Sequence, residues 1–200
     1  TIADFGAIAI EKAYYLSALR RVSSHDSLTG LLNRRSFERL YQRELERLRR
    51  KGRTFSVLLI DMDDFKAIND RWGFSEGDKA LQKVARILKE HIRKMDVLAR
   101  FGGDEFVVLL PETTREQSAQ IVKRFRNALE YVSRDLPYAL SASVGIREAG
   151  HTEEDPLGLA DEEMYQEKQR KQERTIDSLV DHLEEFFQEE ADHRPGHLQE

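Results

Sequence analysis

The sequence predicts an α+β domain in which an antiparallel sheet is covered by helices on one face, and three observations carry that prediction. Short apolar runs at Thr54–Asp61, Val97–Phe101, Phe106–Leu110 and Tyr138–Arg147 have the length and composition of strands. Gly102-Gly103, between the second and third runs, has the spacing of a two-residue β-turn, where glycine tolerates positive φ, so those two strands form a hairpin. The remaining stretches carry helical periodicity. The resulting order of helix, strand, helix, strand, strand, helix, strand, helix suits helices packed on an antiparallel-rich sheet.

In chain order, Ile2, Phe5, Ile8, Ala9, Leu16, Leu19 and Val22 recur at helical spacing, which gives an amphipathic lead-in helix over Ile2–Val22. The turn-rich segment Ser24–Gly30 follows, and the compact domain starts near Asp26. A basic and apolar helix runs from Arg34 to Arg50 and ends at Lys51-Gly52. The strand Thr54–Asp61 leads into the acidic cluster Asp61-Met62-Asp63-Asp64. A helix over Glu76–Lys94 places Leu81, Val84, Ala85, Leu88 and Ile92 on one face, and the hairpin after it has Asp104-Glu105 at its tip. Thr113–Val132 is a further helix. Past a loop from Gly150 to Pro156, another helix spans Leu157–Lys168. Ile176, Leu179, Val180, Leu183, Phe186 and Phe187 continue a helical period into a charged tail, and Ala191–Glu200 reads as a frayed end. The expected organisation is a lead-in helix over residues 1–24, the main domain over 25–170 and a helical tail over 171–200.

Composition narrows the function classes. With 40% hydrophobic and 34% charged residues, the 200-residue chain has enough apolar content for one core and is not disordered. The absence of cysteine excludes disulfides, thiolate metal sites and a cysteine nucleophile, and suits a cytoplasmic location. No apolar run approaches the ~20 residues of a membrane span. A net charge of -5 argues against nucleic acid as the partner. The chain begins with Thr, so it reads as a piece of a longer protein that has room upstream for a sensory or membrane-tethering region.

The chemistry concentrates in two acidic clusters on strands expected to be adjacent, Asp61–Asp64 at a strand end and Asp104-Glu105 at the hairpin tip. One carboxylate from each can share a divalent cation. Mg²⁺ is the fitting ion, because it takes one or two carboxylates and fills its shell with water and substrate phosphates, which makes a nucleoside triphosphate the natural guest. Two such ions about 3.5–4 Å apart activate an attacking hydroxyl and stabilise departing pyrophosphate. The same residues also suit plain turn capping, and the carboxylates alone leave both readings open.

Gly102-Gly103-Asp104-Glu105-Phe106 resembles the motif for which the GGDEF family of diguanylate cyclases is named. Asp26-Ser27-Leu28-Thr29-Gly30-Leu31-Leu32-Asn33-Arg34 resembles the family's entry motif, and Asp61-Met62-Asp63-Asp64-Phe65-Lys66-Ala67-Ile68-Asn69-Asp70 its nucleotide-binding strand and turn. Gly77-Asp78, Ser143-Val144-Gly145-Ile146 and Ala160-Asp161-Glu162-Glu163-Met164-Tyr165 extend the likeness over Asp26 to Lys168.

The resemblance implies a ferredoxin-like palm similar to that of nucleotidyl cyclases, and condensation of two GTP molecules to cyclic di-GMP across a homodimer. It implies that Asp61, Asp104 and the Met62 carbonyl hold two Mg²⁺ or Mn²⁺ ions per active site. Asp104 would help to deprotonate the 3′-hydroxyl, with Glu105 in support. Phosphates would lie on the Asp64 and Phe65 N–H groups at a helix start, with Lys66 and Lys168 as point charges. Guanine would be read by Asn69 and Asp78, since a carboxylate can accept from guanine donors that adenine lacks. Arg93 and Asp96 stand where the family's inhibitory RxxD motif would bind product, although alone they would be an ordinary surface pair. The lead-in helix would transmit alignment from an upstream sensory domain, or simply cover the domain.

Two departures stand out. Phe74 occupies a position near the nucleotide where the family usually has His, and Arg170-Lys171-Gln172-Glu173 replaces the usual Gly-Arg-Asn, leaving Arg170 or Lys171 as candidates for the lost phosphate contact. They keep alternatives in play, chiefly a catalytically weak domain that senses cyclic di-GMP or GTP, and otherwise a maker of mixed cyclic dinucleotides or an inert dimerisation unit.

Overall fold

The structure, a computed structural model, describes residues 24–150 and 155–192. The lead-in helix expected over Ile2–Val22 lies outside the described residues, as do 151–154 of the expected loop and 193–200 of the tail. The elements are β1 (Leu32–Asn33), α1 (Arg34–Lys51), β2 (Phe55–Met62), α2 (Phe65–Trp72), α3 (Phe74–His91), β3 (Val97–Gly102), β4 (Glu105–Pro111), α4 (Arg115–Ser133), β5 (Ala142–Ala149) and α5 (Pro156–Asp192). The described strands form one sheet in the order β1-β3-β4-β2-β5. All neighbours are antiparallel except the short parallel contact of β1 with β3. The fold is the α+β, antiparallel-rich arrangement that the sequence predicts. No described helix is long and apolar enough to cross a membrane.

Helices cover both faces of the sheet, not the one face expected. Leu58, Ile60 and Met62 of β2 join Phe106, Val108 and Leu110 of β4 beneath α2, α3 and α4. Phe55, Val57 and Leu59 point the other way and pack with Val107 and Leu109 against Phe37 and Tyr41 of α1 and Ala160 and Met164 of α5. The cause is visible in β2 itself, which is buried at every position. A strand apolar at both parities belongs in a sheet with two covered faces.

Several boundaries move for local reasons. The third helix starts at Phe74, directly after Gly73 at φ 83°, and stops at His91 instead of Lys94. Arg93–Asp96 then forms a turn, with the Asp96 N–H on the Arg93 carbonyl at 3.0 Å and the Arg93 N–H on Asp96 Oδ2 at 2.6 Å. Thr114 and Gln117 form a capping box, so α4 opens at Arg115. Tyr138 lies before β5, not in it. Its hydroxyl donates to Glu76 Oε1 at 3.0 Å, and the Leu140 N–H is held by Ser133 Oγ at 2.7 Å, so this segment ties α4 to α3 before the strand begins at Ala142.

The last helix runs unbroken past residue 170. It lies in backbone contact with β5: a Cβ on Gly145 would sit 1.7 Å from the Ala160 carbonyl oxygen and 2.7 Å from the Met164 nitrogen. That close approach draws α5 across the ends of β2 and β4. Farther along, Ile176, Leu179, Val180 and Leu183 are exposed.

Candidate active site

Antiparallel pairing sets Asp61 of β2 directly opposite Glu105 of β4. Opposed residues share a face with Cβ atoms about 5 Å apart, so both carboxylates project toward α5. Asp104 sits in the adjoining turn, where its carbonyl accepts from the Met62 N–H at 3.3 Å. The two expected acidic clusters therefore meet. The turn itself differs by one residue from expectation: Gly102 pairs with Glu105, leaving Gly103-Asp104 as the loop. A register irregularity between Arg100 and Gly102 carries the ladder further, and Gly103 takes φ 53°. Arg100 secures this geometry, donating to the Gly103 carbonyl at 3.0 and 2.6 Å while its Nη1 reaches Asp26 Oδ1 at 3.1 Å.

Lysines of α5 meet these carboxylates. Lys168 Nζ donates to Asp61 Oδ1 at 2.5 Å, and Lys171 Nζ donates to Asp63 Oδ2 and the Ala142 carbonyl, each at 2.7 Å. Ser143 Oγ donates to Asp63 Oδ1 at 2.6 Å. Burial and the nearby charges of Asp104 and Asp63 hold the Asp61 carboxyl above the usual carboxylate range despite Lys168. Burial likewise raises Glu105, reinforced by Asp61, Asp104 and Asp161. At Asp63, burial is outweighed by hydrogen bonds from Lys171, Ser143 and Ser141, and the pKa falls. Burial opposes the Lys168 charge, yet the bond to Asp61 prevails and raises its pKa.

This is an electrostatic deficit that a cation relieves, and the donors are hard oxygens. Among the described residues no three acidic or imidazole groups converge as a metal cage. That donor set fits Mg²⁺, which needs only one or two carboxylates.

Beside the acidic pair, α2 begins from Asp64, which adopts the left-handed φ of 54° and offers no side-chain cap. Its N-terminal end adjoins a cavity of 530 Å³ lined by Asp63, Asp64, Lys168, Lys171 and Arg174 among others. A second cavity of 340 Å³ opens on Asp61, Glu105, Asp161 and Lys168. Phe65 and Lys66 occupy the first turn of α2, and Lys66 is exposed. Asn69 lies against α3: a Cβ on Gly77 would come within 2.0 Å of Asn69 Oδ1, and Asp78 follows Gly77 in the same helix. Phe74 opens α3 with 80% exposure and is not packed into a pocket. Arg93 and Asp96 lie apart from this group, on a cavity of 470 Å³ shared with His25 and Lys89. Burial pushes Asp96 up against the opposing hydrogen bond and charge of Arg93.

Sequence reasoning named Asp63 only as a member of the acidic cluster and Lys171 only as a candidate phosphate contact, not as partners of each other, and it gave no role to Arg100 or Asp161. The period-2 spacing of Asp61 and Asp63, set against the three-residue spacing of Lys168 and Lys171, was an available signal for the first two. Nothing local marks the 74-residue separation of Asp26 and Arg100.

A family model described as diguanylate cyclase, GGDEF domain, matches residues 23–174. The chain belongs to the GGDEF family. The GGDEF motif here spans the end of β3, the turn and the first two residues of β4. Among similar proteins, diguanylate cyclase DosC of Escherichia coli is 38% identical over 151 residues, covering 72% of this chain and 33% of DosC. Diguanylate cyclase DgcP of Pseudomonas aeruginosa is 35% identical over 165 residues, covering 80% of this chain and 25% of DgcP. The GGDEF chain thus spans a third or less of these relatives. The coiled coil and GGDEF domain of DgcB from Caulobacter crescentus, solved with c-di-GMP, superposes with a TM-score of 0.79 at 26% identity, covering 84% of this chain and 92% of that one. Diguanylate cyclase SiaD of Pseudomonas aeruginosa, solved with its activator SiaC, gives 0.70 at 30% identity, covering 84% and 67%.

Proposed function

We propose that this GGDEF domain is a diguanylate cyclase that condenses two GTP molecules into cyclic di-GMP, each domain of a homodimer presenting one nucleotide. The observation that carries the reading is the direct cross-strand pair of Asp61 and Glu105 with Asp104 in the adjoining turn. Asp61, Asp104 and the Met62 carbonyl would hold Mg²⁺ or Mn²⁺, two ions per site, which when bound neutralise phosphate charge and ease ionisation of the 3′-hydroxyl.

The chain's own groups do the rest. Backbone N–H groups of Asp64 and Phe65, at the positive end of α2, bind phosphate oxygens, and Lys66 and Lys168 add charge. Asn69 and Asp78 hold guanine. Asp104, supported by Glu105, takes the proton as the 3′-oxygen of one GTP bonds to the α-phosphorus of the other and the bond to pyrophosphate breaks. The same exchange in the opposite sense closes the ring. Alignment of the two domains sets the rate, because correct positioning contributes about 7–11 kcal/mol of such a barrier. An upstream sensory domain is the natural source of that alignment, and cyclic di-GMP at Arg93 and Asp96 the brake. The expected products from GTP and Mg²⁺ are cyclic di-GMP and two pyrophosphates; GTP returned unchanged, or cut only to GDP, sinks the reading.

A second reading, a cyclic di-GMP or GTP sensor, is favoured by one observation: Lys168 and Lys171 already engage Asp61 and Asp63. Binding of cyclic di-GMP without turnover would select it.

A further inference from the structure

The last helix carries a line of side chains that the described core does not cover. Tyr165, Gln169, Gln172, Ile176, Leu179 and Leu183 follow one another on α5 at alternating steps of four and three residues, and all six are exposed. The apolar members, with Val180 alongside, are between 46% and 59% open. Phe74, Met95 and Tyr131 are also exposed but stand far apart in the chain, which is ordinary for a surface; a continuous row on one helix is not.

Steps of four and three are the heptad of a seam between two helices. Gln169, Ile176 and Leu183 fall at its first core position and Tyr165, Gln172 and Leu179 at its second. Asp177 and Asp181 lie outside the seam, so no acid interrupts its apolar stretch. A β-branched residue at the first position with leucine at the second, as in Ile176 and Leu179, favours two parallel strands. Lys168 and Glu173 occupy flanking positions five residues apart. In a parallel, in-register pair, Lys168 of one copy therefore stands opposite Glu173 of the other, a contact of unlike charges. Glu173 is exposed, and the Lys168 side chain keeps 32% of its surface open beside Asp61.

Orientation decides where the two acidic sites lie. Tyr165, Gln169 and Gln172 line the 340 Å³ cavity that opens on Asp61 and Glu105. Parallel pairing sets this cavity across the seam from its counterpart. Antiparallel pairing over residues 176–183 would hold the two Lys168 positions about 35 Å apart along the helix at 1.5 Å of rise per residue. Reaction between two bound nucleotides needs atoms about 3–3.5 Å apart, which that separation does not allow.

We propose that the face of α5 over residues 165–183 pairs in parallel with the same face of a second copy of this chain, bringing the two acidic cavities opposite each other. The placement of the cavities deepens the cyclase reading above and rests on it. The pairing itself stands on the heptad and the charges.

The test is sedimentation velocity over a concentration series for wild type, Leu179→Asp and Leu179→Ile, with melting temperature and cyclic di-GMP formation measured on the same samples. Because the chain has no cysteine, Gln172→Cys in the seam and Ser178→Cys outside it each report orientation by disulfide formation under mild oxidant. The expected result is a wild-type dimer, kept in Leu179→Ile and lost in Leu179→Asp at unchanged melting temperature, with product formation reduced at least about tenfold in Leu179→Asp. Gln172→Cys is expected to cross-link and Ser178→Cys not to. A monomeric wild type, or a dimer that Leu179→Asp leaves intact, overturns the pairing. A dimer in which Gln172→Cys fails to cross-link overturns the parallel orientation. A dimer that meets every structural expectation but makes no cyclic di-GMP supports the pairing and overturns the cyclase reading instead.

Discussion

Lys168 and Asp61 are joined between α5 and the sheet by a contact of 2.5 Å from Nζ to Oδ1, and Lys171 repeats the arrangement on Asp63 at 2.7 Å. Asp61 near the end of β2 and Asp63 just beyond that strand thus meet residues three apart on a helix. The Asp61 side chain is only 10% exposed, so its lysine partner supports both fold and site.

Replacing Lys168 with Ala leaves Asp61 buried without its partner, and a loss of about 1–3 kcal/mol is expected by urea denaturation. Asp61→Asn keeps an acceptor for Lys168 and is expected to fold normally, yet to lose at least a hundredfold in cyclic di-GMP formation. Retained activity in Asp61→Asn would remove that carboxylate from the chemistry.

Gly77 and Gly145 separate a site effect from a fold effect. Ala at 77 gains helix propensity of about 1 kcal/mol over Gly, but its Cβ would displace the Asn69 amide, which lies 2.0 Å from the ideal Cβ position. Little change in melting temperature and a clear loss of GTP affinity are expected. Unchanged affinity would show that Asn69 does not hold the base.

Ala at 145 meets backbone instead, 1.7 Å from the Ala160 carbonyl oxygen, and neither β5 nor α5 can yield without losing the packing of Ala160 and Met164. A loss above about 3 kcal/mol in urea denaturation is expected.

Asp26 gives the fold a defined pH response. Burial would raise its carboxyl, but hydrogen bonds from Thr29 and Arg100, together with the Arg100 charge, outweigh burial and hold it below the ordinary value of about 3.9. A depressed folded-state pKa means that the stabilisation is complete above the unfolded value and disappears as pH falls through the folded one. The stability gap between wild type and Asp26→Asn is therefore expected to be constant from pH 5 to 7 and to close below about pH 4. A gap that widens with acid would contradict the pairing.

Arg93 and Asp96 differ in what their removal does. Asp96 caps its own turn through the Arg93 N–H at 2.6 Å, whereas the Arg93 side chain is exposed. Arg93→Ala is expected to leave the initial rate within twofold and to abolish slowing by added cyclic di-GMP. Asp96→Ala is expected to lower the melting temperature as well.

How much of this was legible in the chain follows from the range of each signal. The hairpin, the acidic strand ends and the helical periods are written in neighbouring residues, and the structure brings Asp61, Asp104 and Glu105 together as those signals imply. The second covered face was readable only from the parity of Phe55–Ile60, which is apolar on both sides. The turn shifted by one residue because Arg100 grips the Gly103 carbonyl, and Tyr138 left the strand because Glu76 claims its hydroxyl. Both are contacts made by folding, with no mark in the adjacent sequence.

The most direct test incubates the protein at high concentration with GTP and Mg²⁺, beside Asp104→Ala, and identifies the products by mass. Cyclic di-GMP from the wild type and none from Asp104→Ala is the expected result. Equal product from both would contradict the assignment of Asp104, and no product from either, with cyclic di-GMP still bound, would contradict the cyclase reading and leave a sensor.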